Sequence, residues 1–111
     1  MFGYQFSKLS PKNKIVTLKF KNGLKFRVRA RTMDRTVVKE VFMEEIYDKH
    51  RIKVEKGDTV LDIGAHIGVF GVYAAAISKT GIVYSFEPFI DNFKMLEAHK
   101  EINNCSNLKC F

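Results

Sequence analysis

A chain of 111 residues, 46% hydrophobic and 28% charged, has the make-up of an ordinary globular domain. Its longest apolar run, near Val69–Ile77, is interrupted by Gly71 and falls far short of the roughly 20 residues a membrane helix needs. The formal charge is +7, from 19 Lys and Arg against 12 Asp and Glu, which leaves an anionic partner open without requiring one.

The chain opens with MFGYQFSKLSPKNK, which lacks the apolar core of a signal peptide, so a cytoplasmic protein with no membrane partner is expected. Residues 14–30, KIVTLKFKNGLKFRVRA, hold two alternating runs around Asn22-Gly23. A two-residue turn would put their apolar residues on opposite faces. A three-residue loop, Lys21-Asn22-Gly23, instead pairs Phe20 with Leu24, Leu18 with Phe26 and Val16 with Val28, all on one face. The expected structure is therefore a hairpin with Gly23 in the left-handed region. Much of the positive charge lies between Lys8 and Arg35, alternating with apolar residues, and reads as the solvated face of this hairpin. Aromatic and basic residues are not interleaved as in a nucleic-acid module, so no nucleic-acid partner is expected. The ribbon's apolar face needs a cover, which makes it an appendage on a larger core.

Asp34 can cap a helix running to about Lys49, with Val37, Val38, Val41, Phe42 and Ile46 as its apolar stripe and Glu44, Glu45 and Asp48 facing away. Lys56-Gly57-Asp58 is a turn, and Thr59–Ile63 a buried strand. A helix over Ile67–Ser78 follows, ended by Lys79 and Gly81. Ile82–Phe86 is a second strand, a further helix runs from about Asp91 to Asn103, and Leu108–Phe111 opens a third strand. Residues 1–55 thus form a hairpin-plus-helix appendage, and 56–111 a βαβαβ run. The fold class is α/β, a partial Rossmann-like parallel sheet preceded by a β-hairpin and helix. Cys105 and Cys110 match no metal-ligand spacing and are expected to be thiols.

The chemistry concentrates in VLDIGAHIGVFGVYAAA, residues 60–76. A strand running into a glycine turn and then a small-residue helix suits an anion held at the helix N-terminus. In a dinucleotide fingerprint the second glycine lets the backbone approach a pyrophosphate. His66 stands there instead. The short-chain dehydrogenase spacing fits Gly64 and Gly68 but finds Phe70 at its third glycine. What remains is Asp62 at a strand end, the turn Gly64-Ala65-His66-Ile67-Gly68, and Glu87 at the next strand end.

That set resembles the cofactor site of class I S-adenosylmethionine (SAM)-dependent methyltransferases. More narrowly, VLDIGAHIGVFGVYAA, then GIVYSFEPF, then a helix ending in NN before a new strand resemble the FkbM-type methyltransferase family. The preceding block, GLKFRVRARTMDRTVVKEVFMEEIYD, is similar to that family's N-terminal hairpin and helix. Family members carry D-I-G-A-N-I-G at the turn, with asparagine where this chain has His66. The resemblance implies SAM as cofactor, bound through Asp62, Gly64, Ala65, His66, Gly68, Glu87 and Phe89. Glu87 would accept the ribose hydroxyls, since a carboxylate offers two acceptor oxygens. It implies methyl transfer to a hydroxyl of a small molecule or carbohydrate. It further implies a seven-stranded sheet, so the chain is expected to be the cofactor-binding portion of a longer enzyme, inactive alone and able to self-associate through an unpaired sheet edge.

Plainer roles stand beside these. Asp62 could cap the turn's amides, His66 could be a turn residue bonded to backbone rather than a base, Glu87 an exposed acid, and Phe89 a packing residue. His50 and His99 are read as helix-surface residues that form no metal site with His66, and nothing decides whether Glu45 or Tyr47 reaches the pocket. No catalytic base is assigned. The alternatives are one half of an NAD(P)-dependent oxidoreductase, or a non-catalytic remnant.

Overall fold

The computed structural model describes residues 2–6, 14–42 and 53–111. The chain divides into two compact units, Met1–Ile46 and Tyr47–Phe111.

In the first unit, strand β1 (Phe2–Phe6) pairs antiparallel with β2 (Ile15–Phe20), which pairs antiparallel with β3 (Lys25–Arg29). The β2–β3 register sets Val16 against Val28 and Leu18 against Phe26, as the three-residue loop requires. The loop closes by Phe20 N–H donating to Leu24 O (2.9 Å) and Gly23 N–H to Phe20 O (3.0 Å). Gly23 has φ 91, where an L side chain would be strained, and the Asn22 side chain accepts the Leu24 amide at 3.1 Å. Val16, Leu18, Leu24, Phe26 and Val28 are buried, whereas Lys19, Lys25 and Arg27 are exposed. β1 was not expected from the sequence; it makes the hairpin a three-stranded sheet.

Helix α1 (Asp34–Phe42) covers this apolar face. Its Val38 and Val41 are buried, and Phe42 stacks on Phe20 with ring centroids 4.3 Å apart. Burying a side chain such as Phe26 contributes about 1.5–3 kcal/mol. The cover for the hairpin is thus a helix of its own unit. Asp34 ties the helix start to the sheet: Arg29 N–H and Nε donate to Oδ2 and Arg29 Nη2 to Oδ1, each at 2.8 Å. Burial alone would raise the Asp34 carboxyl, but these bonds, the guanidinium charge and Thr32 hold it below its ordinary value. The expected continuation of α1 to Lys49, including Glu44, Glu45, Ile46, Tyr47 and Asp48, lies outside the described residues, as does His50.

The second unit is βαβαβ: β4 (Val60–Ile63), α2 (Val69–Ser78), β5 (Val83–Phe86), α3 (Ile90–Ile102) and β6 (Leu108–Cys110). β4 and β6 flank β5 in a parallel sheet, with Val60 opposite Val83 and Val83 opposite Leu108. Successive strands step across the sheet in one direction, so right-handed crossovers lay both helices on the same face. That face is dry: Val83, Ser85 and Leu108 are fully buried. Close approach of α2 rests on its small residues. A Cβ on Gly71 would fall 2.5 Å from Ser85 Oγ. Asn107 secures the far end, its Nδ2 donating to Ala75 O (3.1 Å) and Gly81 O (3.2 Å). Helix α2 begins two residues later than expected because Gly68 adopts φ 91 and serves as its N-cap.

No described helix is long and apolar enough to cross a membrane.

Candidate functional site

The sharp bend after β4 is built from backbone. The amides of Gly64 and Ala65 both donate to Phe86 O at 2.9 Å, which lashes the end of β4 to the end of β5. Gly64 has φ 75, His66 φ 57 and Gly68 φ 91, so three left-handed residues fold the chain back within five positions. Gly68 N–H donates to Ala65 O at 3.0 Å, and Val72 N–H makes the first helical bond, to Gly68 O at 2.9 Å. The N-cap Gly68 has no side chain to bond the first amides of α2, an arrangement that suits an anion at this helix end.

His66 holds a backbone shape that few residues tolerate. Asn, Asp and His are the non-glycine residues enriched in left-handed conformations, so a histidine suits this position.

Glu87 completes the site from the end of β5. Its own amide donates to Phe111 O at 2.9 Å, which fixes its backbone across the sheet. Its carboxylate accepts the His66 amide at Oε2 (3.0 Å) and the Phe89 amide at Oε1 (3.4 Å). Each oxygen has a second lone pair, so the group can still accept two hydroxyls. Phe89 is 58% exposed beside it, with its ring available to a ligand.

Asp62 is placed differently. It lies on the helix-covered face of β4, where Ser85 Oγ donates to its Oδ2 at 2.9 Å, beneath Gly71. Burial pushes its carboxyl above the ordinary range, the Ser85 hydroxyl draws it partly back, and the charge of Glu87 adds to the rise. Its contacts support the bend from below. Ser85 was not anticipated as a partner, although it lies two residues before Glu87.

His99 corrects the expectation of a surface residue. It is 0% exposed, and its Nδ1 lies 2.6 Å from Ile67 O inside the bend. The signal was its position three residues after Leu96, the other buried side chain of α3. Both cysteines are free. Burial and the neighbouring Cys110 push the Cys105 thiol up to about 11, against the pull of Lys100, so it stays protonated at neutral pH.

No protein-family model matches the chain. Over 63 residues, 57% of its length, the chain is 36% identical to the AMB antimetabolite synthetase AmbE of Pseudomonas aeruginosa. Over 61 residues, 55% of its length, it is 34% identical to 31-O-demethyl-FK506 methyltransferase FkbM of Streptomyces tacrolimicus. These stretches span 3% and 24% of the two relatives.

Among solved structures, a SAM-dependent methyltransferase from Aquifex aeolicus matches 72% of this chain and 47% of its own, at TM-score 0.54 and 19% identity. P. horikoshii TYW2, in complex with MeSAdo, matches 92% of this chain and 36% of its own, at 0.58 and 22%. The Methanococcus jannaschii fibrillarin pre-rRNA processing protein matches 98% and 54%, at 0.52 and 16%. At such identities the likeness is one of fold. The chain has a SAM-dependent methyltransferase-like α/β fold.

Proposed function

We propose that this chain is the cofactor-binding portion of a SAM-dependent methyltransferase of FkbM type, acting in the cytoplasm on a hydroxyl of a small molecule or carbohydrate. The observation that carries the reading is the placement of the Glu87 carboxylate, bonded to the His66 amide at 3.0 Å, beside an α2 N-terminus whose N-cap is the glycine Gly68. An acceptor for paired hydroxyls and a donor set for an anion thus meet across one bend, which fits a ribose at one end and an amino-acid carboxylate at the other. The 34% identity to FkbM, running over 61 residues, supports the narrower family reading.

Bound there, SAM would supply a methyl group on a sulfonium, a leaving group that needs little help. The chain's own groups hold and orient. The α2 amides would hold the methionine carboxylate, Glu87 the ribose hydroxyls, and Phe89 would flank the adenine. Gly64, Ala65, His66 and Gly68 set the backbone path, and Asp62 supports it through Ser85. Aligning the acceptor is a matter of proximity, with a base where its hydroxyl is not already ionised, and none of these residues is committed to that task.

The NAD(P) reading is weaker because His66 puts an imidazole where a pyrophosphate would need bare backbone. Titration calorimetry separates the two. SAM or its demethylated product S-adenosylhomocysteine should bind in preference to NADH, and tighter NADH binding would overturn the proposal.

A further inference from the structure

We infer that His99 is a positioning residue for the cofactor bend, an inference that rests on the functional reading above and adds α3 to the machinery of the site. The peptide joining Ile67 to Gly68 leads directly into the N-cap of α2, and it is held at both ends. Its N–H donates to Ala65 O at 3.0 Å, a bond local to the bend. Its carbonyl oxygen is 2.6 Å from His99 Nδ1, on a residue 32 positions later in the chain. A carbonyl can only accept, so Nδ1 carries the proton in this contact.

The flanking residues make that grip consequential. His66 at φ 57 and Gly68 at φ 91 lie on either side of Ile67, so the chain reverses its hand on both sides of this peptide. Ile67 is fully buried, so water cannot replace the imidazole as donor. The direction of the Ile67–Gly68 plane sets the direction in which α2 starts, and with it the aim of the amides that would meet an anion. One helical turn before His99, Leu96 presses on the same peptide: a Cβ on Gly68 would fall 2.5 Å from Leu96 Cδ1. Two side chains of α3 therefore set the bend, one by excluding bulk at Gly68 and one by bonding its carbonyl.

Two substitutions separate positioning from filling. In His99→Asn the side-chain amide stands the same number of bonds from the backbone as Nδ1 and can restore the donor. In His99→Leu the volume is kept and the carbonyl is left without one. Calorimetry with S-adenosylhomocysteine, below the melting temperature of all three proteins, should show His99→Leu weakened by about tenfold or more and His99→Asn within about threefold of wild type. Equal affinities would overturn the proposal, and so would a loss in His99→Leu that His99→Asn fails to restore. Amide hydrogen exchange of the ligand-free proteins keeps this test apart from the functional reading. Should the wild type bind neither SAM nor its product, the methyltransferase proposal falls. Faster exchange at Gly68 in His99→Leu but not in His99→Asn would then still support positioning, and unchanged exchange would overturn it.

Discussion

Glu87 joins two elements through one carboxylate, and the consequences of removing it follow from both. It accepts the amides of His66 and Phe89, and each of its oxygens keeps a second lone pair. Glu87→Ala should cost about 2–4 kcal/mol of SAM affinity, the value of two charge-assisted hydrogen bonds. An Ala variant that binds as tightly as wild type in calorimetry would remove the ribose role. His66→Asn, by contrast, should leave affinity and melting temperature nearly unchanged, because asparagine also tolerates a φ of 57. A loss of turnover in that variant, measured in a catalytically active form of this protein that carries His66, would promote the imidazole from turn residue to catalyst. At this scale the sequence was legible where backbone geometry dictates residue type: the glycines and His66 mark the bend. Asp62 was legible only as an acid at a strand end. Which face of β4 it occupies depends on Ser85 and Gly71, residues that are silent until the sheet is assembled.

The hairpin was read down to its register because side-chain alternation has a period of two, and only a three-residue loop puts six apolar residues on one face. β1 was not read, since Phe2–Phe6 is short, contains Gly3, and becomes a strand only by pairing with β2. The buried state of His99 was missed for a related reason: α3 has a weak apolar stripe, and a histidine three residues after Leu96 looks polar until Ile67 is placed against it.

The link between β3 and α1 is more exposed to pH than any apolar contact in the first unit. Asp34 is fully buried with its carboxyl depressed, so its contribution is present above the unfolded carboxylate value and is lost as pH falls through the lower folded value. Acid should therefore loosen α1 from the sheet. Asp34→Asn should destabilise the unit by about 2–4 kcal/mol at neutral pH, with the difference shrinking toward low pH. Circular dichroism melts between pH 7 and roughly pH 2.5 would check this. A difference that stays constant with pH would mean that the carboxylate charge is irrelevant to the docking. Asp62 has the opposite sign. Its raised carboxyl costs stability as pH rises through its folded value, so its own contribution runs opposite to that of Asp34.

Taken by itself, and among the described residues, the second unit's parallel sheet has one face covered by helices and one that carries exposed apolar side chains. Parallel sheets are ordinarily covered on both sides. Here the face away from the helices carries Leu61 and Ile63 on β4, 66% and 75% exposed, opposite Tyr84 and Phe86 on β5. Phe111 extends that face, stacked on Phe86 at 5.1 Å and on Tyr84 at 6.3 Å. Among the described strands β4 is also at the edge of this sheet, so an apolar surface and a row of backbone donors and acceptors coincide. Self-association was anticipated from the edge alone, and the exposed side chains add an apolar driving force to it. We expect the 111-residue chain to show a sedimentation coefficient that climbs with concentration, and Leu61→Lys combined with Ile63→Lys to abolish the climb. Both positions are already solvent-exposed, so the charges should be accommodated without unfolding, which a melt would verify. A wild-type chain that sediments as one monomeric species across the same concentrations would mean that this face is soluble as it stands and that the association proposal is wrong.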